Sequence, residues 1–279
     1  MTAPLVSVSG LTHTYEDGTL ALEGISLEIS RGERIGLIGE NGSGKTTLCK
    51  HLCGLLIPSS GEVLIEGRRI KDMSIPEIAR KVGLLFQNPD NQLFCSTVRE
   101  EVLFGLRNIG LNEREAEARC RRYVRMLGLQ EYVDRSPLML SLGVRRLVTI
   151  ASVLAMEQDI VLLDEPTAWL DRAQAALAME AIRDFSASGR TVVIVSHNMK
   201  LIAELTERSI VLSHGRKIAD GRTRDILGDN ALLESAGLSP TPISEFASQL
   251  GIAGKERVIT QGDFIGALLS IRDGEFSRR

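Results

Sequence analysis

Between Gly39 and Thr46 the chain reads Gly-Glu-Asn-Gly-Ser-Gly-Lys-Thr, which fits the phosphate-loop pattern G-x-x-x-x-G-K-[ST]. Glycines let main-chain N–H groups converge on phosphate oxygens, and a following helix adds the partial positive charge of its N-terminus. The candidate contacts are Gly39, Asn41, Gly42, Ser43, Gly44, Lys45, Thr46 and Thr47. Lys45 is expected to reach the β and γ phosphates, and Thr46 to offer its hydroxyl to Mg²⁺. A second constellation is Ile160-Val-Leu-Leu-Asp164-Glu165, an apolar run ending in two acids. Asp164 is placed to hold Mg²⁺, directly or through water, and Glu165 to act as general base on the attacking water. Thr191-Val-Val-Ile-Val-Ser-His197 delivers a histidine in the same way, as a γ-phosphate contact. Gln87, just after the run Val82–Phe86, suits Mg²⁺ and water coordination. Alone, the acids could cap a helix and the histidine could be structural. Beside the phosphate loop those readings lose ground.

Such groups must be held by strands that end at a common edge. The strand candidates are Ile25–Ile29, Arg34–Gly39, Val63–Ile65, Val82–Phe86, Ile160–Asp164, Thr191–Ser196 and Ile210–Leu212. Ile35–Ile38, Ile160–Leu163 and Val192–Val195 are nearly unbroken apolar runs, as expected of strands covered on both faces. Alternation with helices predicts an α/β core. From about 96 to 156 helical patterns follow one another (Val98–Leu106, Glu113–Leu127, Leu142–Met156), which predicts an inserted helical subdomain. After Gly221 short helices are broken by Gly237, Pro240, Pro242, Gly251 and Gly254. This tail, 226–279, is expected to have limited core and to serve in docking or dimerisation, leaving 1–225 as the main domain.

The chain has 279 residues, 43% hydrophobic and 25% charged, with net charge −3, which does not suit a nucleic-acid binder. The most basic stretch, Arg114 to Arg125, interleaves glutamates and reads as a solvated helix face. No apolar run reaches the roughly 18–20 residues that cross a bilayer, and the N-terminus lacks an export pattern. Cys49, Cys53, Cys95 and Cys120 are scattered, and His51 adds no second ligand pair, so buried thiols in a reducing compartment are expected rather than zinc.

The four elements in this order resemble the nucleotide-binding subunit of an ATP-binding-cassette transporter, over roughly residues 4 to 225. The resemblance implies a P-loop ATPase fold, ATP and Mg²⁺, and a peripheral position on the cytoplasmic side of a membrane. It also implies that Tyr15 stacks on adenine and that Asp171, in Thr167-Ala-Trp-Leu-Asp171, makes a dimer contact. The stretch Gln87-Asn-Pro-Asp-Asn-Gln-Leu-Phe94 and the tail Leu232-Leu-Glu-Ser-Ala-Gly-Leu238-Ser-Pro240 are similar to ATPases of energy-coupling-factor importers. Those take up cobalt, nickel or vitamins through an integral-membrane coupling subunit and a substrate-binding membrane subunit. An importer with a dedicated binding protein is the alternative within the class. A soluble repair or translation ATPase is the rival outside it, disfavoured by the absence of a long inserted coiled coil and of a second cassette.

Members of this family carry Leu-Ser-Gly-Gly-Gln at the start of a helix, and two subunits pack head to tail so that this signature closes the partner's ATP site. Here the string is Leu140-Ser-Leu-Gly-Val144, followed by Arg145-Arg146. Ser141 and Gly143 remain as candidate phosphate contacts, while Leu142 and Val144 replace a glycine and the glutamine. A leucine hinders close backbone approach, and a valine removes a polar side chain. The expectation is a heterodimer: this chain's own loop working against a paralogue with a regular signature, and the other site turning over poorly.

Overall fold

The computed structural model describes residues 3–252 and 258–276. Gly254, one of the expected breakers, lies outside the described residues. An antiparallel layer comes first: β1 (Val6–Thr14) and β2 (Leu20–Ile29), later joined by β4 (Ser60–Ile65) and β5 (Arg68–Arg69) in the order β2-β1-β4-β5. β3 (Arg34–Ile38) opens the second sheet, and α1 (Lys45–Leu52) follows it across the phosphate loop. After α2 (Ile75–Ala79) and β6 (Val82–Leu85) come three helices, α3 (Val98–Asn108), α4 (Glu113–Met126) and α5 (Leu142–Ala155). β7 (Ile160–Asp164), α6 (Arg172–Ala187), β8 (Thr191–Val195), α7 (Met199–Leu205), β9 (Arg208–Ser213) and β10 (Arg216–Arg222) complete the second sheet, ordered β10-β9-β3-β8-β7-β6. Its strands are parallel except β10, which pairs antiparallel with β9.

Side-chain alternation splits the core across this sheet. Ile160 and Leu162 of β7, with Ile35 and Leu37 of β3, face a cluster shared with β1, β2, β4 and α1. Val161 and Leu163, with Ile38, face a second cluster built on α3 to α7. All ten residues of β7 and β8 are buried, as their unbroken apolar runs require. Each aliphatic side chain buried in this way contributes about 1.5–3 kcal/mol, so the strand ends are firmly placed.

Three strands were not expected: β1, β5 and β10. The arginine-rich stretch lies on α4, with Arg114, Arg121, Arg122 and Arg125 exposed. Cys49 and Cys120 are buried as expected, but Cys53 and Cys95 are only half-buried; all four are free thiols. The tail forms α8 (Thr223–Leu227), α9 (Asn230–Ser235), α10 (Pro242–Gln249) and α11 (Gln261–Phe276). Pro242 begins α10 rather than breaking a helix, since a first-turn N–H has no partner to lose. Leu227, Leu233 and Ala236 are fully buried within the helical-side cluster, so the start of the tail is seated in the main core. The turn at Gly237, φ +66°, lies against Glu40 of the phosphate loop: a Cβ there would sit 3.0 Å from Glu40 Oε2.

Candidate active site

Because β3, β6, β7 and β8 run parallel, their C-terminal ends share one edge of the sheet. In register, Leu37 lies opposite Val195 and Asp164 opposite Val195 on its other side. That edge therefore gathers Gly39, Gln87, Asp164, Glu165 and His197 from four stretches of chain. A cleft of ≈ 360 Å³ opens there, lined among others by Tyr15, Asn41, Gly42, Gly44, Lys45, Thr46, Thr47, Gln87, Asp164 and Glu165. The Tyr15 hydroxyl lies 3.0 Å from Thr47 Oγ1, and its ring meets His13 edge-on at 4.8 Å.

The loop is shaped for an anion. α1 starts from Gly44 in a left-handed conformation (φ +100°), has no side-chain cap and has no acid in its first turn. Its first N–H groups are thus left for an outside acceptor. Lys45 Nζ folds back onto the carbonyl oxygens of Gly39 (2.8 Å) and Glu40 (2.7 Å) and onto Ser43 Oγ (3.3 Å). Burial pushes the Lys45 ammonium down, and Asp164 and Glu165 partly offset this. A buried cation resting on neutral carbonyls gains from an anionic ligand. The donor set fits the phosphates of ATP.

Thr46 Oγ1 donates to Asp164 Oδ2 at 3.0 Å, bringing a hydroxyl and a carboxylate together at the place where a divalent cation fits. Burial pushes the Asp164 carboxyl above its ordinary value, opposed by the Thr46 hydrogen bond. A raised folded value means the native state holds more protons than the unfolded state between the two pKa values. Stability then falls as pH rises through that window, and the ionised carboxylate costs stability at neutral pH. Asp164→Asn is therefore expected to raise the melting temperature of the nucleotide-free protein and to abolish the extra stabilisation that Mg²⁺ adds with ATP. Thermal unfolding with and without ATP and Mg²⁺ checks both halves.

Glu165 is 8% exposed and takes a left-handed φ of +48°, a conformation that costs on the order of 1–3 kcal/mol and persists only where neighbours enforce it. Ser196 Oγ donates to its Oε2 (2.8 Å), and the His197 main-chain N–H donates to Oε1 (2.9 Å). His197 Nδ1 also lies 2.6 Å from Oε1. A carboxylate only accepts, so Nδ1 donates in this contact. In this arrangement the main-chain N–H and Nδ1 of His197 are engaged with Glu165, and Nε2 is the ring atom left to meet a phosphate.

Ser141, Gly143 and Asp171 do not line the cleft; they stand at the starts of α5 and α6. Ser141 caps α5, accepting from Val144 N at 3.4 Å. Asp171 caps α6 in a reciprocal box with Gln174. Gly143 sits where these two helix starts touch, since a Cβ there would lie 2.4 Å from Gln174 Oε1 and 3.1 Å from the Trp169 carbonyl. Leu142 and Val144 are not equivalent. Leu142 is 45% exposed, whereas Val144 is 9% exposed and belongs to the helical-side core. Val144 thus turns its side chain into the core and offers no polar group at the surface, while Leu142 places an apolar side chain there.

One residue of this region was not anticipated. Arg146 is fully buried and donates to the carbonyl oxygens of Phe86, Asp164 and Glu165. Burial pushes its guanidinium down to about 10.

The chain matches the family described as ABC transporter over residues 22–168. It is 42% identical over 255 residues to the energy-coupling factor transporter ATP-binding protein of Methanothermobacter thermautotrophicus, covering 90% of this chain and 82% of that one. Some relatives are longer: this chain spans 45% of an ABC transporter ATP-binding protein of Methanosarcina acetivorans to which it is 39% identical over 99% of its own length. Among solved structures, cbiO1 of Clostridium perfringens, part of the ABC transporter complex cbiONQ, superposes with a TM-score of 0.74. That pair is 32% identical, and 90% of this chain and 100% of that one are covered. A dimeric ATP-binding cassette in a post-hydrolysis state with ADP and phosphate matches at a TM-score of 0.72 and 29% identity, over 78% of this chain and 98% of that one.

Proposed function

This chain belongs to the ABC transporter family as an ATP-binding and hydrolysing subunit, and from that premise we propose that it drives an importer of the energy-coupling-factor type. Its own residues divide the work of hydrolysis. Lys45 and the α1 N-terminus hold the phosphates, Tyr15 takes the adenine, and Glu165 accepts the proton of the attacking water while Ser196 and His197 fix its carboxylate. Mg²⁺, held by Thr46, Asp164 and Gln87, would neutralise charge on the phosphates. A second cassette chain, a paralogue with a regular signature, completes the site. Leu142, exposed beside Ser141, supports a partner that is not a copy of this chain.

The observation that carries the transport reading is a groove beside the Gln87 segment. It has a volume of ≈ 240 Å³ and is walled by Gly83, Leu84, Phe94, Phe104, Gly105 and Met156. Phe94 and Phe104 are 63% and 46% exposed and meet edge-to-face at 4.7 Å. Paired aromatics left in water suit a partner that covers them. No described helix is long and apolar enough to cross a membrane. The groove would seat an integral-membrane coupling subunit, itself joined to a substrate-binding membrane subunit, with the chain on the cytoplasmic face. The cargo is a micronutrient, a vitamin such as biotin or a cobalt or nickel ion, chosen by the membrane subunits.

Affinity purification of the tagged chain from native membranes in mild detergent tests this. Integral-membrane proteins and a second cassette chain are expected to follow it. Phe94→Ser with Phe104→Ser should release the membrane proteins while ATP binding and the second cassette are retained. Recovery with a dedicated solute-binding protein would move the chain to the other importer class. Recovery of no membrane protein would sink the transport reading.

A further inference from the structure

Arg146 has an unusual set of partners for a fully buried cation. Its hydrogen bonds among the described residues go to main-chain carbonyls, those of Phe86, Asp164 and Glu165, and its Nε has no partner. Phe86 and Asp164 sit at adjacent positions: β6 and β7 pair through Leu85 and Leu163, and the next residue of each strand turns its carbonyl toward the guanidinium. Beyond that last rung β6 and β7 no longer pair with each other, and a planar fork with five donors can satisfy several carbonyls together. The far side of the guanidinium is closed by Trp169, whose ring centroid is 5.9 Å away and whose φ is +62°. Trp169 is itself 48% exposed on its outer side.

We propose that Arg146 is a positioning residue for hydrolysis: it ties the main chain at Glu165, and at the residue preceding Gln87, to the helix that begins at Ser141. It is fully buried and does not line the cleft. Its effect passes through Glu165, whose left-handed main chain is gripped by Arg146 at its carbonyl and by Ser196 and His197 at its carboxylate. Two consequences distinguish this from ordinary core packing. A small rotation of α5 moves the catalytic carboxylate and the Gln87 segment together, because one side chain holds both. A molecule that covers the exposed side of Trp169 bears on the same guanidinium, so the surface formed by Ser141, Leu142 and Trp169 reports directly to the base.

The test separates turnover from binding in the full-length chain paired with its partner cassette. Arg146→Lys keeps a buried cation and up to three donors, but on one nitrogen, so it loses the planar fork whose Nη1 holds the Phe86 carbonyl while Nη2 holds those of Asp164 and Glu165. Steady-state hydrolysis gives kcat and KM, and trinitrophenyl-ATP fluorescence with Mg²⁺ gives affinity. The expected result is a folded variant with kcat lowered about 30-fold, with KM and affinity within about threefold of wild type. Wild-type kcat, or an equal loss of kcat and affinity, would overturn the proposal. Should Arg146→Lys fail to fold, Trp169→Ala decides, since it frees the guanidinium without stranding a charge. A kcat about threefold lower at unchanged KM supports the assignment, and an unchanged kcat overturns it. The inference rests on hydrolysis alone, so it stands even if purification brings down no membrane partner.

Discussion

Glu165→Gln is expected to bind Mg-ATP with near wild-type affinity and to hydrolyse it about 10²–10³ times more slowly. The substitution preserves volume and, with one flip, the local hydrogen bonds. The amide oxygen can remain with the His197 N–H and Nδ1, while the amide nitrogen donates to Ser196 Oγ, which can accept. The left-handed main chain and the grip of Arg146 on the Glu165 carbonyl are untouched. Only the ability to take a proton is removed. Nucleotide titration by calorimetry and phosphate release on the same sample give both numbers. A release rate within about threefold of wild type would mean that some other group accepts the proton.

Gly39→Ala should abolish tight ATP binding and lower the unfolding free energy by about 2–4 kcal/mol. Gly39 has φ +152°, and a Cβ there would lie 2.1 Å from the Leu212 carbonyl oxygen and 2.6 Å from Ser43 Oγ. Leu212 is fully buried inside β9, which is fixed by β3 on one side and β10 on the other. A backbone atom so constrained cannot retreat, so the loop must, and its N–H groups lose their convergence. Gly42→Ala is the control. Its φ of +82° also strains an alanine, but nothing lies within 4 Å of the added carbon. The expected cost there is nearer 1 kcal/mol. Urea unfolding and nucleotide titration of the two variants side by side check the contrast. Equal effects would show that conformational preference, and not the collision with β9, sets the requirement for glycine.

The phosphate loop, the two acids and the histidine were legible because each follows a strand buried on both faces. A strand of that kind is an apolar run that needs no partner to be recognised, and Ile35–Ile38, Ile160–Leu163 and Val192–Val195 all fall in strands. β1 was not legible, because Gly10, φ +59°, and register shifts between Val8 and Thr14 interrupt the alternation of Val6, Val8 and Leu11. β10 escaped for the opposite reason: no residue of Arg216–Arg222 is buried, so it carries no hydrophobic signal. Its trace was the pair His214-Gly215, whose left-handed φ values of +46° and +76° make the hairpin turn. Arg145-Arg146 looks like a basic pair on a helix surface. Only the packing of α5 against the ends of β6 and β7 shows that the second arginine lies inside. Leu142 and Val144 stand together in the string, yet two residues apart on a helix they point in nearly opposite directions. What escaped sequence reading is direction, which a linear pattern does not encode when a helix is covered on most sides.

The position of β3 between β8 and β9 also determines when the nucleotide site can exist. Arg34 lies beside Val192, and Ile35 beside both Val193 and Arg208. On a ribosome adding about 5–20 residues per second, the loop emerges roughly 10–30 s before the strands that flank it. Throughout that interval Ile35 to Ile38 lack both of the strands they pair with in the folded chain. ATP therefore cannot act as a template for the growing chain. It can bind only once β9 has been made, so occupancy of the loop marks a cassette whose central strands are already in place.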